Sequence, residues 1–438
     1  MQATDHILIY THKSTPRVRY IFNMIFKDLL GLSFTIITDT MEYTAYDGVK
    51  ISYTHQEVDS PFHIQATGLL FEPGIKEQTI QLHNHQNYIR YFFKTYSGQL
   101  PFDVFGAAFY LVSRYEEYLP FKPDKFNRFE AESSLAYQYD FLEKPLVNIW
   151  VAEFEKQLRA MYPALRVKYP EYRYVSTIDI DNAYRYKQKG VMRSFGGYFR
   201  DIVRLDKKDF LQRTAVLLNK EADPFDSYDY QLEIQKKYKI QVMYFFLLGD
   251  YGVNDKNHPS NNLNFQKLIK HLADYARIGI HPSFGSTGNE NQVKIEISRL
   301  SRITHREISS SRQHFSMLKF PDTYRILLEL GITDDYSMGY SQHNGFRASI
   351  CHPFYWYDLD EELETGLRIH PFALSETTLR FNHKAVIDDA AEKARPIIEI
   401  VKKYQGELIT IFHNDTMGTA PEWQGWFRVY EDIVKLAL

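Results

Sequence analysis

The chain has 438 residues, 44% of them hydrophobic and 24% charged, with a formal net charge of −3. That length exceeds one ordinary domain and predicts two, each long enough to bury a core. No Lys/Arg-rich block occurs, which argues against a nucleic-acid partner; the single cysteine, Cys351, excludes an internal disulfide and a thiolate zinc cluster.

From the N-terminus, Ile7–Tyr10 and Phe34–Thr38 are short apolar runs rich in β-formers, and between them Arg17–Leu30 has helical spacing closed by Gly31. The first run is too short for a signal peptide or a membrane span, so a soluble cytoplasmic protein with no membrane span is expected. Lys50–Thr54 alternates as a half-buried strand. Asp103–Tyr118 reads as an apolar helix with a polar end, and Val147–Met161 as an amphipathic helix. Tyr162-Pro163 and Lys168-Tyr169-Pro170 then punctuate the chain. This places a mixed α/β domain over 1–170 and a second domain over 171–438.

Beyond Pro170 strands and helices alternate. Tyr174–Asp181, Ile240–Leu248, Arg277–His281 and Glu407–His413 are the strands. Helices are predicted at 226–239, Phe265–Ala276, Val293–Ile303, Asp322–Leu330, Ile387–Tyr404 and Trp423–Leu438. Apolar strands separated by helices predict a parallel sheet or a (β/α) barrel, whose ligands sit at the C-terminal strand ends.

Polar residues at those ends carry the chemistry. In Tyr174-Val-Ser-Thr-Ile-Asp-Ile-Asp181 the two carboxylates share a face roughly 6–7 Å apart, since strand side chains alternate. One suits a metal, the other a base; the bland alternative is a strand-end pair capping the next helix. His281 ends its strand in Ile278-Gly-Ile-His-Pro-Ser-Phe284. His413 ends the last one in Leu408-Ile-Thr-Ile-Phe-His413-Asn414-Asp415. Three such ends would meet at one mouth.

The order Thr-Ile-Asp-Ile-Asp, an apolar strand with Phe-Phe, Ile-Gly-Ile-His, an arginine-containing loop and a late strand ending in His resembles the NodB-type polysaccharide deacetylases, carbohydrate esterase family four. The resemblance covers about 172–438 and implies a deformed (β/α) barrel; Phe121-Lys-Pro-Asp and Ser134-Leu-Ala-Tyr resemble an accessory domain found before it in a subgroup. It further implies Asp179 as general base, Asp181 and His281 as metal ligands, and His413 as general acid. The arginine that orients the base falls on Arg312 in Ser311-Arg-Gln-His-Phe315, with Arg347 in Gly345-Phe-Arg347-Ala-Ser as the competing match. The family's second metal histidine falls on Gly285, so a third ligand has to come from elsewhere, and His314 in the arginine loop is the candidate.

On that resemblance the expected cofactor is a divalent metal, zinc first, and the expected partner a carbohydrate. The expected reaction is removal of an N-acetyl group from an amino sugar or glycan precursor. With 33 Tyr and 31 Phe the chain is rich in rings, and Trp356, Tyr340 and Arg347 are candidate substrate contacts, although most rings in any protein are core. A catalytically lapsed carbohydrate-binding or scaffold protein is the rival reading, supported by Gly285. A glycosidase using a carboxylate pair is a third, disfavoured because carboxylates at i and i+2 of one strand leave little room for a sugar between them.

Overall fold

The computed structural model describes residues 4–438. In the first part β1 (His6–Thr11), β2 (Ser33–Ile37), β3 (Lys50–Thr54) and β4 (His63–Gln65) form a parallel sheet in the order β2-β1-β3-β4. The helix predicted over Arg17–Leu30 begins at Pro16, capped by the Thr15 side chain, and widens to a π-helical run at Asn23–Leu29. Gly31 follows at φ +60°, where a Cβ would lie 2.4 Å from the Lys168 carbonyl oxygen. Only glycine lets the chain turn there beneath the linker. A two-stranded antiparallel hairpin comes next, β5 (His83–His85) with β6 (Ile89–Tyr91). Helices Val104–Val112 and Leu146–Met161 follow.

The second part is a nine-stranded sheet. Its members are β7 (Arg173–Ile180), β8 (Gln241–Phe246), β9 (Arg277–Ile280), β10 (Ser310–Ser311), β11 (Asp334–Asp335), β12 (Phe354–Asp358), β13 (Leu363–Ile369), β14 (Leu374–Ser375) and β15 (Glu407–His413). The order is β12-β13-β11-β10-β9-β8-β7-β15-β14, parallel except for β12 against β13. All four strands expected from sequence are present.

The barrel expectation is met only in part, because the sheet is not closed by strand pairing. It ends at β14 on one side and β12 on the other. Between β11 and β15 runs the connection from β13 to β14. His370 N donates to Asp335 O and Phe372 N to Met338 O on one side, and Ala373 N donates to Ile409 O on the other. One stretch of chain thus fills the gap that a strand ladder would fill in a closed barrel.

Alternation along the strands sorts the side chains. Val175, Met243, Phe245, Tyr336, Phe372, Ile409 and Ile411 form a separate apolar cluster on the inner face. Ile178, Ile180, Tyr244 and Phe246 join the main cluster on the other. By the period of two, Thr177 and Asp179 fall on the Val175 face. The main cluster also takes in Ile9, Phe105 and Trp150, so the two parts share one continuous core. Among the described residues no helix is long and apolar enough to cross a membrane.

Candidate active site

Asp179, Asp181, His281, His314, Arg312 and His413 come together at the C-terminal ends of β7, β9, β10 and β15. Pairing of β7 with β15 sets His413 opposite Asp179, and β8 joins on the other side. Asp179 is buried, 3% exposed. Its Oδ1 accepts from Arg312 Nη1 at 3.0 Å, and the same nitrogen donates to Thr177 Oγ1 at 2.6 Å. Arg312 Nε donates to the Tyr336 carbonyl at 3.0 Å, and its guanidinium lies 4.6 Å from the centre of the Phe245 ring. Phe245 needs the space left by Gly279, where a Cβ would come within 2.5 Å of the ring. The arginine is therefore fixed from three directions, and of the two candidate arginines it is Arg312 that meets Asp179.

Asp181 sits at the rim, its side chain 32% exposed. His281 Nε2 lies 3.3 Å from its Oδ1, and His314 Nε2 lies 3.4 Å from its Oδ2. Ligand atoms of Asp181, His281 and His314 all fall within 4.8 Å of one another. Each imidazole is oriented through its other nitrogen. His281 Nδ1 meets the Arg312 carbonyl at 2.5 Å, and His314 Nδ1 meets Asp255 Oδ1 at 2.9 Å. With Nδ1 of each ring engaged there, both Nε2 atoms turn towards Asp181, and a cation would displace the proton that His314 Nε2 shares with Asp181. Asp181 Oδ1 itself is shielded from solvent and has no hydrogen-bond partner. Two imidazole Nε2 atoms and a carboxylate facing one another within 4.8 Å make a donor set that fits a divalent cation.

Position 285 has no side chain, and Asp255 lies against its backbone. Its oxygens accept from the backbone N–H of Phe284 and of Gly285, both at 2.9 Å, while it holds His314. His314 arrives from the next loop beside Asp181 and His281, with Asp255 as its support. Burial works against charge on His314, but Asp181 and Asp255 outweigh it and push its pKa up to about 9. Burial likewise opposes the Asp181 carboxylate, yet His314, His281 and His413 hold it well below the usual range.

His413 flanks the group from the other side, its Nε2 3.9 Å from Asp181 Oδ2. Its Nδ1 lies 2.7 Å from Glu376 Oε1, which also accepts from the His413 backbone N–H at 3.0 Å. Burial disfavours the imidazolium, but the Glu376 charge reverses this and raises the His413 pKa well above its ordinary value. Asp415, close by, is pushed by burial up to about 6, against the pull of His413.

Residues 7–163 match a protein family of unknown function (DUF7033). No curated protein sequence matches the chain. Among solved structures, one from Mycobacterium smegmatis assigned as a polysaccharide deacetylase is similar at 12% identity and TM-score 0.38, covering 62% of this chain and 86% of its own. A polysaccharide deacetylase from Bacillus cereus is similar at 12% identity and TM-score 0.28, covering 60% and 86%. A pseudoenzyme of carbohydrate esterase family four from Bacillus anthracis is similar at 9% identity and TM-score 0.29, covering 61% and 60%.

Three sequence candidates do not reach the site. Arg347 is 2% exposed, and its Nη2 pairs with Glu117 Oε2 at 2.5 Å, in the contact between the two halves of the chain. Tyr340 is buried beneath the Arg347 guanidinium, 5.0 Å away. Trp356 is 2% exposed and packs edge-on against Tyr324. Their burial runs against the expectation that they contact substrate. Conversely, sequence reasoning missed Asp255 and Glu376, which orient His314 and His413. It also missed Phe126 and Arg128. Phe126 lies 5.7 and 5.5 Å from the rings of Phe284 and Phe315, and Arg128 donates to the Phe315 carbonyl and to Ser341 Oγ. These two bring the first half of the chain to the loop that carries His314. Nothing in their local sequence marks them, because their partners lie more than 150 residues away.

Proposed function

We propose that the chain is a metal-dependent hydrolase that removes an N-acetyl group from an amino sugar or glycan precursor. The observation that carries this reading is the convergence of Asp181, His281 and His314 within 4.8 Å, with an arginine-held carboxylate on one side and a glutamate-held histidine on the other. Asp181, His281 and His314 would hold the ion, zinc by its preference for such ligands, and it would supply Lewis acidity towards the acetyl carbonyl and its water.

Asp179 takes one proton from the attacking water as its oxygen bonds to the carbonyl carbon. Arg312 keeps that carboxylate aimed. His413, held as imidazolium by the Glu376 carboxylate at Nδ1, delivers its Nε2 proton to the amide nitrogen as the C–N bond breaks. Acetate and the free amine leave. Thr177 and the Tyr336 carbonyl take no part in proton transfer; they fix Arg312.

Metal content of the purified chain, measured by plasma mass spectrometry, tests the reading together with acetate release from N-acetylated amino-sugar oligomers. About one ion per chain is expected, lost in Asp181→Ala, His281→Ala and His314→Ala alike, with activity abolished in each. Absence of bound ion after dialysis against zinc, cobalt or nickel would overturn the metal hydrolase. The chain would then be read as a lapsed, carbohydrate-binding relative, for which Gly285 is the supporting feature. Retention of metal in His314→Ala would remove that residue from the ligand set.

A further inference from the structure

Most helices on a folded protein turn their apolar stripe inward. Helix Gly190–Val203, which follows β7 through residues 182–189, does the opposite. Val191, Met192, Phe195, Phe199, Ile202 and Val203 are 59 to 85% exposed, and at 100° per residue they occupy one face about 120° wide. Asp201, on the far side, is the residue that is buried: Arg213 Nε on the next helix, Lys207–Leu217, pairs with it at 2.9 Å. Tyr198 packs edge-on against Phe210 of that helix. Gly197 leaves room for this arrangement, since a Cβ there would lie 2.4 Å from the Arg213 guanidinium. A buried ion pair therefore holds the polar side in and the apolar side out.

The charge around this face is equally one-sided. The chain as a whole carries −3, yet Lys187 to Lys220 contains nine Lys and Arg against three Asp. Arg193, Arg200 and Arg204 run along one border of the apolar face. The next turn adds exposed Leu205, 83% exposed, beside exposed Lys207 and Lys208. Large aromatic and aliphatic side chains on one face of a helix, with cations along its edge, match a helix lying in the interface of an anionic bilayer. A second copy of the chain would instead bring the same positive excess to both sides of the contact.

We propose that helix Gly190–Val203 and the turn after it dock the protein on an anionic lipid surface, with Met192, Phe195, Phe199 and Leu205 entering the acyl boundary and Arg200, Arg204 and Lys207 meeting lipid phosphates. Residues 182–189 tie this helix directly to Asp181. Docking thus brings the candidate active site to the membrane surface and makes a lipid-borne glycan the natural substrate. That last consequence rests on the deacetylase reading; the docking does not.

Co-sedimentation of the full chain with phosphatidylcholine vesicles, with and without phosphatidylglycerol, decides the matter without any activity readout. Binding at least ten-fold tighter to the anionic vesicles, weakening as salt rises, is expected. The triple variant Met192→Ser, Phe195→Ser, Phe199→Ser should lose it. The pair Arg200→Glu, Arg204→Glu, which leaves the apolar face intact, should lose the preference for anionic lipid. Failure of the wild type to sediment with either vesicle would overturn the proposal, as would unchanged binding in a folded triple variant. A dimer in light scattering that the triple variant dissolves, without vesicle binding, would assign the face to a second copy. A protein that binds vesicles but releases no acetate leaves the docking standing and removes the deacetylase reading alone.

Discussion

Two histidines of the site are held through Nδ1 by carboxylates, and the two carboxylates have different consequences. Asp255 accepts two backbone N–H groups besides His314, so it is a fixed post for that imidazole. Glu376 is buried and holds both the ring and the backbone of His413, so it keeps a charged imidazole in place next to Asp181. Glu376→Gln is therefore expected to retain the metal while lowering kcat about 100-fold with little change in KM, as for loss of a positioned general acid. Metal content and steady-state kinetics on one preparation check this, and loss of metal would show that His413 also ligates. Legibility at this scale follows the strands. Asp179, Asp181, His281 and His413 could be read because each closes an apolar strand and alternation fixes its direction. Arg312 and His314 came from the resemblance of their loop. Asp255 and Glu376 could not be read, since each acts across a loop whose path the local pattern leaves open.

The elements show where periodicity stops being informative. Strands β7, β8, β9 and β15 are four to eight residues long and announce themselves as apolar runs. β10, β11 and β14 have two residues each, too few for any pattern, and they exist because neighbours impose pairing. Helix Gly190–Val203 escaped for the opposite reason: its apolar residues face outward and a Gly-Gly pair interrupts it. Where β11 and β15 fail to pair, His370 joins them. Its Nε2 lies 2.9 Å from Asp334 and its Nδ1 2.7 Å from Glu407, with the ring stacked on Tyr336 at 4.4 Å. Burial disfavours the charged ring, but the two carboxylates prevail and raise its pKa. A raised folded-state pKa gives stability that is complete below the unfolded value near 6.5 and is lost as pH rises through the folded value. Melts across that range should show the wild type losing stability as the ring deprotonates. His370→Gln should be less stable at low pH and flatter with pH. A wild type whose stability does not fall on the alkaline side would mean that the clamp is neutral.

Over the whole molecule, the two halves of the chain meet through buried charge, and this was only half legible. In the sequence the run Arg114–Glu117 reads only as a solvated or interdomain face, and its partner Arg347 as an orienting arginine or substrate contact, because their distance in sequence hides the pairing. In the structure Arg114 sits at φ 54°, ending the helix Val104–Val112, and donates to Glu117 at 2.7 Å, to Glu116 at 2.9 Å and to the Arg347 carbonyl. Glu117 in turn takes both Nε and Nη2 of Arg347. Arg17 pairs with Glu362 further along the same contact. Removing a carboxylate buried between two guanidiniums leaves Arg347 uncompensated and Arg114 with Glu116 alone, so Glu117→Ala should cost about 3–5 kcal/mol. Burial alone would raise the Glu117 pKa, but Arg347 and Arg114 together lower it. A lowered folded-state pKa gives stability that is present above the unfolded value near 4.5 and is lost as pH falls through the folded value. Urea unfolding of wild type and variant at neutral and acid pH should therefore show a gap that narrows only at the acid end. Because the first half also reaches the His314 loop through Arg128, unfolding of the contact and loss of bound metal should coincide along the denaturant series. Metal released well before the contact opens would separate the two.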